Sequence, residues 1–318
     1  MSDTDFWENL FYFKHRERIG LANFGDDLNP WLFSKLLHGI SPPKEDVSII
    51  GIGTLINDAT DDMIPQLNRR LVFSSGVGYG DRLPTIDERW RFYAVRGKVS
   101  RDLCRLPPEV PLGDGAILLS DLVQSDEIGS LGKGDVIFVP HIQYETEASA
   151  LWRKACEIAG IRYVAPSESR QDIISSLANA RLVITSAMHA AIVADTFRTP
   201  WVAVHTEGVL SKKWEDWGSA IGVEPRFNIL PRLWIPNDPV ARIRTFAKIR
   251  LIARKLKMLA QNQGQLSSDS ATDVVKNGLW EAVDRLRTDI DTNSVRNGFV
   301  STQNSSEVAV PGTARTSL

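Results

Sequence analysis

The chain has 318 residues, long enough for two domains of ordinary size, and its 43% hydrophobic and 24% charged residues describe a globular protein and exclude a disordered one. Its 37 Lys and Arg nearly cancel 39 Asp and Glu, and the formal charge of -2 gives no ground for nucleic-acid binding. Two distant cysteines, Cys104 and Cys156, exclude a disulfide framework and a zinc ribbon and point to a reducing, cytoplasmic compartment.

Residues 1–18 lack the basic start and apolar stretch of a signal peptide. Asn23-Phe24-Gly25-Asp26-Asp27 forms a polar turn ahead of a helix expected over 30–39, with Asn29 as its cap and Pro30 in its first turn. Asp26 and Asp27 there either complement the helix dipole or present a carboxylate to a sugar hydroxyl. Strands are expected at 47–53, 71–78, 91–97, 135–141, 161–165, 180–186 and 201–205. Each is short, rich in Val, Ile or aromatic residues, and apolar on both faces, as a strand buried between two helical layers is. Helices fall between them at 145–159, 171–178 and 189–197. This alternation predicts parallel sheets and a doubly wound α/β fold. The polar stretch 124–134 separates an N-terminal α/β domain, 1–125, from a C-terminal one, 133–235. Two long helices (238–262 and 270–290) and a polar tail, 291–318, complete the chain. The longest apolar run free of formal charge, 182–194, is too short to span a bilayer.

Ligands of open parallel sheets gather at the carboxyl ends of strands. Arg96 ends the third expected strand, His141 ends the fourth, and His189 opens the helix after the sixth. Three cation-capable groups so placed suggest an anionic substrate, although a lone histidine at a helix start is more often a hydrogen-bonded core residue. Glycine turns at 51–55 and 74–81, the second with Gly76 and Gly78, either let the backbone approach a phosphate or satisfy tight-turn sterics. They fit neither a dinucleotide fingerprint nor a P-loop. Trp201, Trp214, Trp217 and Trp234 are either sugar-stacking faces or ordinary core. No spacing suggests a metal site.

Taken together, NFGDDLNPWL (23–32), IIGIGTL (49–55), FYAVRGKVSRDL (92–103), LGDGAILL (112–119), IFVPH (137–141) and ARLVITSAMHAAIVADTFRTPWVAV (180–204) resemble the polysaccharide pyruvyl transferases in order and content. KWEDW (213–217) is similar to their bacterial exopolysaccharide branch, of xanthan and succinoglycan type. The resemblance implies two Rossmann-like halves of glycosyltransferase-B type facing a cleft. It also implies transfer of pyruvate from phosphoenolpyruvate onto two hydroxyls of one sugar, giving a cyclic ketal and phosphate without a cofactor or metal. The family's strand-end Arg falls on Arg96 and its acid/base His on His189. Many relatives carry an Arg two positions before that His, where this chain has Ala187. A second cation for the donor must then come from Lys212, Lys213 or His141, with Gly76 and Gly78 near the donor. Asn23, Asp26, Trp214 and Trp217 are the expected acceptor side, a lipid-linked or polymeric oligosaccharide.

Two other readings share this architecture: a nucleotide-sugar glycosyltransferase, and a non-enzymatic carbohydrate-binding assembly protein in which His189 is core. The segment 240–259 is expected to gather Ile243, Phe246, Ile249, Ile252, Ala253 and Leu256 on one helical face. It also holds seven basic residues (Arg242, Arg244, Lys248, Arg250, Arg254, Lys255 and Lys257) and no acid. It either packs across the domains or attaches the protein to the anionic cytoplasmic face of the inner membrane.

Overall fold

The computed structural model describes residues 8–15, 17, 20–78, 82–124, 128, 131–132, 134–206, 212–234 and 239–292, with the backbone alone at 239–242. Of the expected tail, 293–318 lie outside the described residues, as does part of the expected 124–134 boundary. Two parallel sheets form the protein. The first has the order β1 (Leu10–Phe11), β2 (Val47–Ile50), β3 (Arg69–Ser75), β4 (Trp90–Val95). The second is built from β5 (Val136–Val139), β6 (Arg162–Tyr163), β7 (Leu182–Thr185), β8 (Trp201–His205) and β9 (Phe227–Ile229), in the order β6-β5-β7-β8-β9. Every pairing between these strands is parallel, as in Ile49 opposite Leu71 and Phe138 opposite Ile184. Helices flank both sheets, giving two Rossmann-like doubly wound halves. The inner strands β2, β5 and β7 are buried at every position, and that burial is what made their sequences apolar on both faces. Sequence pattern missed β1 and β9, edge strands of two and three residues.

The first helix, α1 (Phe24–Leu36), corrects one expectation. It starts six residues before Pro30, with Asn23 extended at its N-cap, and Pro30 lies inside it. Proline there has no N–H for the carbonyl four residues back, that of Asp26. The Asn29 amide fills the gap, donating to the Asp26 carbonyl at 3.1 Å while also exchanging hydrogen bonds with the backbone of Ile52. Asn29 therefore repairs a mid-helix proline and anchors α1 to the chain after β2; it caps nothing.

The other helices are α2 (Asp58–Asp61), α3 (Lys98–Leu103), α4 (Leu119–Leu122) after a 3-10 turn (Gly115–Leu118), α5 (Ile142–Ala159), α6 (Arg170–Asn179), α7 (Met188–Thr196), α8 (Lys212–Ile221), α9 (Pro239–Leu259) and α10 (Asp269–Asp291). The last two serve different halves. On α9, Ile249, Ile252, Leu256 and Leu259 are buried among Val136, Trp152 and Leu182 of the second half. Ile243 and Phe246, expected on the same face, are exposed. Helix α10 crosses back to the first half. Its stripe Val275, Leu279, Val283, Leu286 and Ile290 is buried, and Asp289 accepts from Tyr93 while Lys276 and Trp280 hold Asp121.

The halves are latched by a buried charge pair. Arg96, fully buried just past β4, meets Asp216 of α8 at 3.0 Å. Asp216 also accepts from the backbone N–H and hydroxyl of Ser100 on α3. A Cβ on Gly97 would sit 1.7 Å from the Asp216 carbonyl oxygen, so only glycine permits this approach. Asp216→Ala strands a buried guanidinium and should cost about 3–5 kcal/mol. Urea denaturation of that variant, with Gly97→Ala beside it, checks the latch: both should lose stability sharply, whereas exposed Asp62→Ala should not.

Candidate active site

The second sheet reverses direction between β5 and β7: from β5 the chain goes outward to β6 and returns past β5 to β7. A crevice opens at the carboxyl ends of the two strands where such a reversal occurs. His141 lies there, two residues beyond β5, and its backbone N–H donates to Ser186 beyond β7 at 2.7 Å. His189 follows in the first turn of α7. Across the crevice stands the N-terminus of α1, tied to the second half by a hydrogen bond from the Phe24 N–H to the Pro166 carbonyl.

His189 sits between Asp114 and the Gly25–Asp26 turn of the first half. Its Nε2 faces Asp114 Oδ2 at 3.5 Å, and among the described residues neither atom has a hydrogen-bond partner. Asp114 is fully buried and held in place because its other oxygen accepts from the Ala116 N–H at the start of the 3-10 turn. On the opposite side, His189 Nδ1 lies against Gly25, where an added Cβ would come within 2.1 Å of it. Next to Gly25, Asp26 accepts from the Asn23 amide at 2.6 Å. Burial pushes the Asp26 carboxyl above its ordinary value, opposed by His189, by the Asn23 hydrogen bond and by His15. Asp26, held by Asn23, is thus close enough to His189 to feel its charge.

His141 accepts from the Gln143 N–H through Nδ1, which leaves Nε2 to carry the proton. Burial, and then Lys213 and His15, lower its pKa to about 3. It is therefore a neutral hydrogen-bond donor, a change from the cationic role expected of it. Lys213, buried in the first turn of α8, lies close enough to contribute to that shift, whereas Lys212 is exposed.

Three expected assignments do not match the geometry. Arg96 spends its guanidinium inside the protein: besides Asp216 it donates to Thr54 Oγ1 at 2.7 Å, to the Val77 carbonyl at 2.7 Å and to the Gly53 carbonyl. Gly76 is glycine because a Cβ there would meet the Arg96 guanidinium at 2.3 Å, and Gly78, at φ +138, answers a backbone need. Gly76 thus makes room for Arg96, and Gly78 sets the backbone path after β3. Trp214 and Trp217 are buried in an aromatic cluster with Trp201 and Phe227, with ring centroids 5.2–6.1 Å apart, and present no face to a sugar. Sequence reasoning also missed groups that matter here. Asp114 and Gly25 lay inside quoted motifs without a role. His15, buried with its Nε2 unpartnered among the described residues, gave no local signal. Among the described residues no group of three or more His, Cys, Asp or Glu is arranged to hold a metal ion.

The polysaccharide pyruvyl transferase family profile matches residues 9–207, from β1 to the end of β8. The chain belongs to that family. It is 35% identical over 213 residues to the succinoglycan biosynthesis protein ExoV of Rhizobium meliloti (strain 1021), a match covering 66% of this chain. The chain spans 65% of the length of that relative. No solved structure gives a significant match. The family match contains His189, Asp114, Asp26, His141 and His15, and ends before Lys213.

Two predictions follow from this geometry. Asp114→Asn keeps the shape but not the charge beside His189. It should lower kcat by roughly 10²-fold, the lower end of what acid–base catalysis supplies, and alter the pH profile at unchanged melting temperature. His141 takes up a proton below about 3 when folded but near 6.5 when unfolded. Its contribution to stability is thus complete above pH 6.5 and declines as pH falls toward 3. His141→Asn should flatten that part of the curve, read as urea midpoints between about pH 7.5 and 4.5.

Proposed function

We propose that this protein moves pyruvate from phosphoenolpyruvate onto two hydroxyls of one sugar in an exopolysaccharide repeat unit, forming a cyclic ketal and releasing phosphate. The observation that carries this reading is His189, facing Asp114 on one side and the Gly25–Asp26 turn on the other, in a chain of the pyruvyl transferase family. The chemistry needs an acid and a base. Protonation of the donor's methylene carbon makes C2 electrophilic, and one sugar hydroxyl adds there while giving up its proton. The first hydroxyl's proton replaces the one spent on the methylene carbon; the second hydroxyl then forms its C2–O bond as the C2–O bond to phosphate breaks, and its proton leaves with the phosphate. His189 exchanges protons with the reacting groups, and Asp26 beside it is the second proton carrier.

The donor is a carboxylate and a phosphate joined through one small carbon unit. The N-termini of α5 and α7 open on the crevice and favour anions. Lys213 is the cation that stands in for the arginine missing at Ala187, with His141 as a neutral donor. Arg96 acts at one remove, fixing the two halves around the cleft. Family membership supports this reading over a nucleotide-sugar glycosyltransferase or a binding scaffold. The succinoglycan relative's name supports an exopolysaccharide acceptor, which this reading takes to be lipid-linked or polymeric.

The test is incubation with phosphoenolpyruvate and a lipid-linked oligosaccharide fraction, following phosphate release and the mass of the oligosaccharide. Phosphate release matched by one pyruvate ketal per acceptor is expected, before and after EDTA treatment and desalting. His189→Ala should reduce kcat by roughly 10²–10⁴-fold while remaining folded. Release without a gain in acceptor mass, or near-normal kcat in His189→Ala, overturns the assignment.

A further inference from the structure

Helix α9 is 21 residues long, about 30 Å, and carries no acidic residue. Its inner face is accounted for by packing on the second half. The opposite face is unusual. Ile243 is 73% exposed, Met258 63%, Phe246 55% and Leu251 45%, and Arg244, Arg250, Arg254 and Lys257 are exposed among them. Positions 243, 247, 250, 254 and 258 recur at helical spacing, so they form one outward stripe, flanked by Phe246 and Lys257 on one side and Leu251 on the other. The Arg250 guanidinium lies over the Phe246 ring at 4.9 Å. Beside the helix, Lys248 stacks over the exposed Trp234 ring at 3.8 Å, extending the same mixture.

We propose that this outer face of α9 docks on an anionic lipid bilayer, with the helix lying in the plane of the surface. Water satisfies the charges of such a face but not its large apolar groups, and an acidic protein surface would match only the charges. A bilayer interface accepts both at once: Ile243, Phe246, Leu251 and Met258 enter the headgroup and acyl boundary while Arg and Lys reach back to phosphates. Among the described residues no helix is long and apolar enough to cross a membrane, so the contact is superficial. The inference stands apart from the reaction, since docking is read whether or not pyruvate is transferred.

Vesicle flotation of the full chain tests it, using phosphatidylcholine vesicles with and without phosphatidylglycerol. The protein should float with the anionic vesicles alone and lose binding as salt rises. One basic residue near such a surface is worth on the order of fivefold in partitioning, so Arg250→Glu with Arg254→Glu should weaken binding by roughly 25-fold or more. Ile243→Ser with Phe246→Ser should weaken it at low salt while leaving its dependence on salt unchanged. All four side chains are exposed, so wild-type melting temperatures are expected; where one falls, Lys257→Glu with Met258→Ser replaces that pair. Equal recovery with both vesicle types, recovery with neither, or an oligomer in solution that these substitutions dissociate overturns the proposal.

Discussion

The Arg96 guanidinium carries its charge where no water reaches, and the arrangement of the cleft depends on how that charge is met. Asp216 supplies the counter-charge from the other half, Thr54 and two carbonyls take further donors, and Ser100 completes the carboxylate. A buried ion pair is tolerated when its hydrogen bonds are so completely matched. Gly76 and Gly97 are consequences of the same pair, since a side chain at either would collide with it. The family's strand-end arginine thus works here as a fixture between the two sheets.

With the halves fixed, three helix N-termini and a set of histidines and carboxylates meet in a small space. Neither half contains this cluster alone. His189 and His141 come from the second sheet, and Asp26, Asp114 and His15 from the first. Burial raises the Asp26 carboxyl and lowers the His141 imidazole, each toward its neutral form. This is the direction that low dielectric imposes on both kinds of group. What remains is a crevice whose helix dipoles favour an incoming anion.

The inner strands were legible because burial on both faces writes itself into four to seven consecutive residues. Edge strands β1 and β9 are too short to leave such a trace. The start of α1 was misplaced because proline usually marks a first turn, and only the three-dimensional reach of Asn29 to the Asp26 carbonyl reveals a proline tolerated mid-helix. At the site, His189 was legible through its motif. Its partner Asp114 lies 75 residues earlier, and the link between Arg96 and Asp216 crosses 120 residues. Such pairings leave no local pattern. The tryptophans of α8 were misread for a related reason, since composition reports an aromatic ring without saying which way it faces.

The return of α10 to the first sheet bears on how the chain is made. The stretch it covers, around Tyr93 and Asp121, leaves the ribosome well before residues 269–291 do. At roughly 5–20 residues per second, the apolar surface under α10 waits on the order of 10–30 seconds for its cover. The second half, by contrast, receives α9 soon after its last strand emerges. The first sheet's half is therefore made before the second and completed after it, with its apolar surface uncovered in the interval.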